Sequence, residues 1–393
     1  MIEIISKESC MGCSACAQVC PRNAIEMRVD PEGFRYPAVD HDVCIHCDLC
    51  SSACPMDRKE HQKKSSAVQA FAAINMDAQI RDKSSSGGIF TIIAESILAD
   101  GGVVFGAAFS EDFRCVIHKA AESKEELEAL RGSKYLQSRI GNTYQQTKDF
   151  LETGRRVLFT GTPCQIAGLH GFLKKTYPNL FTLDVICHGV PSPLVWEKYI
   201  EYHEKKAGEK IQQVHFRMKK PSWQDFSLQL LFGNGREYRK KHNDDMYMRC
   251  FLQNVDLRPS CYACKFKLDD MEADCTLGDF WGIGGILPEA DYQKGVSLVL
   301  LRTEKGNALF SGVMDKLWIR EVDVDQALAG NTAAVKSVTV PDKRSEFMEG
   351  LQRMPPETLF YTYGQPRISK RIKRVIRGLL SNVKRICRKV IYR

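Results

Sequence analysis

Apolar positions along this 393-residue chain fall into two periods. Ile89 to Leu98, Lys124 to Leu130, Thr143 to Leu151, Ile166 to Lys175, Leu194 to Lys205 and Gly306 to Leu317 carry apolar residues at helical spacing. Ala67 to Ile74, Gly102 to Phe109, Arg156 to Thr160, Leu180 to Ile186 and Val296 to Arg302 are short apolar runs between turn residues, and are predicted as strands. Two of these runs pass through a tight loop straight into a helix. The first uses Gly161-Thr162-Pro163-Cys164-Gln165, the second Cys187-His188-Gly189-Val190-Pro191-Ser192. Strand, loop, helix, twice over, predicts parallel βαβ units, whose ligands collect beyond the carboxyl ends of the strands. Ile211 to Met218 and Phe226 to Lys240, the latter turning at Gly233-Asn234-Gly235, read as antiparallel additions, and Ile25 to Val39 as a hairpin turning at Asp30-Pro31-Glu32-Gly33.

The predicted fold class is α+β or α/β: a small N-terminal module, a mixed α/β body and a C-terminal helix. A polar Lys- and Ser-rich stretch, Met56 to Ser66, separates module from body. The expected divisions are residues 1–62, 67–180, 181–350 and 366–393. In the last, Ile368, Ile372, Val375, Ile376, Leu379, Leu380, Val383, Ile386, Val390 and Ile391 recur at helical intervals between basic residues.

The module is organised by cysteine. Cys10, Cys13, Cys16 and Cys20 precede Pro21, and Cys44, Cys47, Cys50 and Cys54 precede Pro55, so C-x2-C-x2-C-x3-C-P occurs twice at a period of 34 residues. This is the pattern of bacterial two-cluster ferredoxins, in which the fourth cysteine of each run ligates the other run's 4Fe-4S cluster. One cluster is therefore assigned Cys10, Cys13, Cys16 and Cys54, and the other Cys44, Cys47, Cys50 and Cys20. Zinc sites and a disulfide knot also use clustered cysteines, but neither requires this register with both prolines.

In the body, Cys164 and Cys187 stand just past two predicted strands, and Cys261 and Cys264 form a further C-x2-C. Together they supply the four ligands of a third cubane. Cys250 or Cys275 could replace one of them, and zinc at the same positions is the alternative metal. Ser84-Ser85-Ser86-Gly87-Gly88 opens the helix at Ile89, where free backbone N–H groups and the helix dipole suit a phosphate, although an ordinary Ser cap with glycines for a turn would read the same way. Arg131 to Ser138 is a polar run without periodicity, expected as a loop.

Composition bounds these readings. Sixteen cysteines without a basic-then-apolar leader point to metal ligation in a reducing, cytoplasmic setting and to an organism that keeps oxygen low. The net charge of +8 is uneven: residues 367–393 hold eleven Lys or Arg and no acid, leaving 45 basic against 48 acidic residues elsewhere. A cationic amphipathic helix suits peripheral contact with an anionic inner membrane face. Nucleic acid, the other polyanion, is not expected, because no aromatic platform or recognition module accompanies the charge.

Ser85-Ser86-Gly87-Gly88, Gly132-Ser133-Lys134-Tyr135, Gly161-Thr162-Pro163-Cys164-Gln165, Cys187 to Ser192, Phe216-Arg217-Met218-Lys219 and Gly278-Asp279-Phe280-Trp281-Gly282, in this order, resemble the coenzyme F-420 hydrogenase/dehydrogenase beta-subunit family from about Ala67 to Phe347. The resemblance implies a flavoprotein holding FAD and 4Fe-4S that exchanges hydride with a small molecule, coenzyme F-420 or another, and single electrons with ferredoxin or another redox protein. It implies that Ser85, Ser86, Gly87 and Gly88 cradle FAD phosphates, that Ser133, Lys134 and Tyr135 line the flavin, and that Gly161 and Thr162 complete the cofactor site. Lys134 and Arg217 are the expected catalytic cations. Cys275 departs from the apolar residue expected at its position. The rival expectation is a non-catalytic carrier or scaffold subunit of a membrane-associated complex, in keeping with relatives linked to surface polysaccharide.

Overall fold

The computed structural model describes residues 2–3, 6–57 and 68–364. The basic helix expected at 366–393 and most of the polar stretch before the body lie outside the described residues. Among the described residues no helix is long and apolar enough to cross a membrane.

The module is built as its repeat predicts. Two short helices, Ala15–Gln18 and Leu49–Ala53, lie within the two cysteine runs and carry Cys16 and Cys50, and β1 (Ile25–Val29) pairs antiparallel with β2 (Arg35–Val39). The turn between the strands depends on Asp30, whose carboxylate accepts from the backbone N–H of Glu32 and Phe34, and on Gly33 at φ +87°.

The body is organised on nine strands: β3 (Gln69–Asn75), β4 (Val103–Phe109), β5 (Val116–Ala121), β6 (Ser138–Arg139), β7 (Val157–Gly161), β8 (Leu180–Val185), β12 (Cys275–Asp279), β13 (Ser297–Leu301) and β14 (Leu317–Val322). They form one sheet in the order β14-β3-β13-β12-β8-β7-β4-β5-β6. A separate antiparallel sheet holds β9 (Ile211–Met218), β10 (Ser227–Phe232) and β11 (Glu237–Lys241). The first predicted βαβ unit is present, since β7, the helix Pro163–Leu173 and the parallel strand β8 follow one another. The second differs, because the helix Pro193–Ala207 after β8 leads into β9 of the separate sheet, and the parallel neighbour of β8 on its other side is β12. Both helices begin with Pro at the first position, where no N–H is needed, behind Thr162 and Ser192 as caps.

Strand direction decides which loops meet. Because β3 and β12 each pair antiparallel with β13, β3 runs the same way as β12, β8 and β7. The residues after β3 (Ser84 to Gly88), after β7 (Thr162 and Cys164), after β8 (Cys187) and after β12 (Phe280 and Trp281) therefore gather at one edge of the sheet.

Some elements differ from the sequence reading. The helix expected over Gly306 to Leu317 is shorter, Glu304–Ser311, and Leu317 starts the edge strand β14. The apolar spacing continued past the helix because Val313 sits in the turn behind it and Leu317 in the strand, both facing the same core. The strand β5 and the helices Met246–Leu252, Arg344–Arg353 and Pro356–Tyr363 were not foreseen.

The module is embedded in the body. Phe34 of the hairpin is fully buried in a core with Trp196, Tyr199 and Phe216 of the body, and Ala15 and Ala53 share another with Ile166 and Leu169. Glu32 pairs with Arg344 at 2.7 Å, and Gln352 donates to the carbonyl of Pro31. The helix Pro163–Leu173 meets the module through glycines: a Cβ on Gly168 would lie 2.8 Å from that of Cys13, and one on Gly171 would lie 2.2 Å from the carbonyl oxygen of Ala53. Alanine at 171 would gain about 1 kcal/mol of helix propensity, but backbone cannot yield at 2.2 Å, and overpacking costs about 1–3 kcal/mol. Gly171→Ala is therefore expected to lower the urea midpoint of unfolding; an equal or higher midpoint would show that the helix and module are not in contact there.

Candidate functional site

The module presents its thiols in the crossed arrangement. Cys20 lines one cavity with Cys44, Cys47 and Cys50, of about 360 Å³ including its open side. Cys54 belongs electrostatically to the first run. Burial pushes the Cys16 thiol up to about 12, followed by the opposing charge of Cys10 and Cys54. Burial likewise raises Cys13, against which Cys16, Cys10 and Cys54 also act. Backbone amides point at the sulfurs: Ala24 N–H donates to Cys20 Sγ at 3.3 Å and Ile2 N–H to Cys50 Sγ at 3.2 Å.

The body repeats this at the carboxyl edge of its sheet. Cys164, in the first turn of the helix behind β7, and Cys187, just past β8, line one cavity with Cys261 and Cys264, of about 520 Å³ including its open side. The C-x2-C is carried there by chain pairing: Ser192 N–H donates to the carbonyl of Asp256, Arg258 N–H to that of Val190, and Pro191 bridges Leu257. Val190 N–H and Thr162 Oγ1 reach Cys261 Sγ and Cys164 Sγ at 3.4 and 3.1 Å. Burial pushes Cys164, Cys187 and Cys261 up to about 12; after burial, the charges of Cys264 and Cys187 oppose Cys164, and that of Cys261 opposes Cys187. Buried thiols this close do not ionise together without a cationic body between them, and a metal cluster is one. Among the described residues no group of three or more His, Cys, Asp or Glu is placed to hold a metal ion, so zinc and a cubane stand as equal alternatives at these four cysteines. Cys250 is buried in the core beneath the helix Met246–Leu252, and Cys275 lies at the start of β12, the end away from the cavity. Neither lines it.

The residues expected around a flavin are brought together in part. Ser133 donates to Ser85 Oγ from both its N–H and its hydroxyl, each at 2.8 Å, so those two segments meet. Ser86 Oγ bonds the carbonyl of Val296, and Gly87 lies where a Cβ would be 2.4 Å from the carbonyl oxygen of Ala73, so this glycine serves close packing against β3. Lys134 Nζ donates to the carbonyls of Ala129 and Arg131 at 2.9 Å, and desolvation brings its pKa down to about 7. Arg217 pairs with Asp279 at 2.5 Å and lies over the rings of Phe226 and Trp281. Its Nη1 also donates to Tyr135 Oη at 3.4 Å, while its Nε is buried without a partner. Gly161 stands beside His118, which bonds the carbonyl of Thr160.

Of three further residues at the site, Lys267 and Arg258 escaped the sequence reading, and Lys219 was quoted only within the motif Phe216 to Lys219, with no role. Lys219 Nζ fixes the Ser84 to Gly88 loop through the carbonyls of Arg81 and Ser86 at 2.6 and 2.7 Å. Lys267 Nζ donates to the carbonyl of Cys187 at 3.0 Å. Arg258 lines the body cavity and reaches Cys10 of the module. Its position three residues before Cys261 was the available signal.

Comparison with known families matches residues 9–57 to a 4Fe-4S dicluster domain, residues 70–143 to the N terminus of the coenzyme F420 hydrogenase/dehydrogenase beta subunit, and residues 154–327 to its C terminus. A search of curated proteins gives no match. Among solved structures, a chain of the F420-reducing NiFe hydrogenase complex from Methanosarcina barkeri aligns over 74% of this chain and 91% of its own, with 18% identity and a TM-score of 0.47.

The loop that carries the C-x2-C contains a buried carboxyl, Asp256, neither of whose oxygens meets a donor. Burial pushes it up to about 8. A raised carboxyl is protonated in the fold while ionised in the unfolded chain, so its contribution to stability is full below about pH 4 and is lost as pH rises toward 8. Asp256→Asn should remove that loss: its advantage over the wild type in denaturant unfolding should grow from pH 5 to pH 8, and a constant difference would contradict the assignment.

Proposed function

Because the chain belongs to the coenzyme F420 hydrogenase/dehydrogenase beta-subunit family and carries a 4Fe-4S dicluster domain ahead of it, we propose an FAD-dependent iron-sulfur oxidoreductase with three cubanes. Cys10, Cys13, Cys16 and Cys54 hold the first, Cys20, Cys44, Cys47 and Cys50 the second, and Cys164, Cys187, Cys261 and Cys264 the third. The observation that carries this reading is the cavity at the sheet edge lined by four cysteines from three separate stretches of chain. The family descriptions name a beta subunit, which supports assembly with further subunits.

An FAD, when bound, supplies the exchange of one hydride for two single electrons. Tyr135 and Arg217, two of the residues that would hold it, touch each other. The ring of His188, next to Cys187, meets Phe251 at 5.1 Å, and Phe251 stacks on Tyr135 at 5.0 Å. Asp279 holds the Arg217 guanidinium in place, leaving Nε as the one buried donor free for an electron-rich group. Ser85 and Ser133 fix each other and so set the two loops that would flank the cofactor. Lys134, with a pKa near 7, can hold or release a proton at neutral pH.

A second reading, an electron-carrying or scaffold subunit without turnover of its own, is favoured by the protein partners these residues already have: Ser85 and Ser133 bond each other, and Arg217 pairs with Asp279. Flavin bleaching by a small-molecule reductant, followed by reoxidation through added ferredoxin, separates the two: a carrier shows cluster redox changes alone. Anaerobically purified protein should hold about twelve irons, from three cubanes of four, and one flavin. Cys187→Ser should reduce the iron to about eight, whereas about eight irons and no flavin in the wild type would overturn the reading.

A further inference from the structure

Arg258 is 1% exposed and lies between module and body. Nε donates to the carbonyl of Cys10 at 2.8 Å, Nη1 to Gln137 Oε1 at 3.0 Å, and Nη2 to the carbonyl of Arg35 at 3.0 Å and Cys10 Sγ at 3.6 Å. Its guanidinium lies 4.3 Å from the ring centre of Tyr36 and 5.4 Å from that of Phe34. Gly12 makes room: at φ +70°, a Cβ there would stand 2.9 Å from Nη1. On its other side Arg258 lines the cavity of Cys164, Cys187, Cys261 and Cys264, and its charge favours the thiolates of Cys164 and Cys261.

What this guanidinium lacks is a carboxylate. Its partners are carbonyls, an amide, a sulfur and two aromatic faces, and among the described residues it forms no ion pair. An uncompensated buried charge costs several kcal/mol, so counter-charge must come from elsewhere. An all-cysteine cubane is net negative in either redox state and becomes more so on gaining an electron.

We propose that Arg258 is the shared counter-ion of two clusters, the one on Cys10, Cys13, Cys16 and Cys54 and the one on Cys164, Cys187, Cys261 and Cys264. This rests on the ligand sets proposed above. Arg258 is a positioning residue that acts through the clusters: each takes up one electron, and the guanidinium stabilises the added negative charge in both. It thereby raises both reduction potentials relative to that of the cluster on Cys20, Cys44, Cys47 and Cys50, which it does not touch. The same hydrogen bonds hold the Cys10 turn against the Cys261 loop, keeping the two clusters adjacent.

The test is an anaerobic redox titration, followed by electron paramagnetic resonance on iron-loaded protein. In Arg258→Gln the two clusters should become harder to reduce by about tenfold in the reduced-to-oxidised ratio, or 59 mV for one electron, with the third unmoved. Arg258→Lys keeps the charge and should recover most of the shift. Gln137→Glu leaves Arg258 in place but gives it a carboxylate, and should shift the same two clusters in the same direction, which keeps the proposal testable if Arg258→Gln does not load. Unchanged potentials in an iron-loaded Arg258→Gln or Gln137→Glu protein, or an equal shift in all three clusters, would overturn it. A chain that binds about eight irons would instead refute the third cluster, while the cluster at Cys10 still reports on Arg258.

Discussion

The structure depends on the convergence of thiols that sequence keeps far apart. A cubane needs four sulfurs around one centre, and the four proposed for the body come from positions as distant as Cys164 and Cys264. Parallel strands solve part of the problem, since β7 and β8 end side by side and deliver Cys164 and Cys187 to the same edge. The remainder is solved by pairing outside the sheet, where backbone bonds between Val190 to Ser192 and Asp256 to Arg258 draw in the second pair. The mutual opposition of the buried thiols is the energetic cost of this arrangement, and a bound cluster removes it.

Electron transfer also requires that the module be held still. Phe34 in the body core, the Glu32 to Arg344 pair and the glycine contacts of the helix Pro163–Leu173 make the module part of the body's packing. The expectation of a module separated from the body by a polar stretch caught the change in composition, but not this burial. The hairpin turn at Gly33 illustrates why: its glycine provides a left-handed turn and also admits Leu194 and Ser192, which would sit 2.4 and 2.7 Å from a Cβ. One residue meets a local and a tertiary requirement, and only the local one is visible in sequence.

Legibility followed the range of the constraint. The eight-cysteine repeat was readable because ligand spacing within a run is local chemistry, and Cys164 and Cys187 because strand, loop and helix periods located their shared edge, whereas Cys261 and Cys264 were joined to them only by the number of ligands a cubane needs. The strand β5, the edge strand β14 and the helices between 344 and 363 were not readable, because their apolar positions make sense only against partners distant in the chain. Arg258 was passed over for a related reason. A lone arginine before a C-x2-C is unremarkable until the aromatic faces of Phe34 and Tyr36 are found above it. The flavin residues show the opposite case: Ser85, Ser133, Lys134 and Arg217 were named from resemblance, and the structure gives each a protein partner.

These contacts place the proposed sites in a linear order. Cys47 is exposed and lines the outer cavity, so that cavity opens toward any protein partner. Cys50 of that set opposes ionisation of Cys16 in the next, linking the two within the module. Cys10 of this second set is joined by Arg258 to the body cavity, and from Cys187 the rings of His188, Phe251 and Tyr135 continue to Arg217. On the reading proposed above, a single electron would pass between surface and sheet edge through these neighbours. The two ends differ in kind: the outer suits a one-electron protein partner, and the inner has the buried, partly desolvated cations, Lys134 and Arg217, that two-electron chemistry on a small molecule would require. A module docked in any other orientation would separate Cys10 from Arg258, so the packing around Phe34 and Gly171 is what makes the order possible.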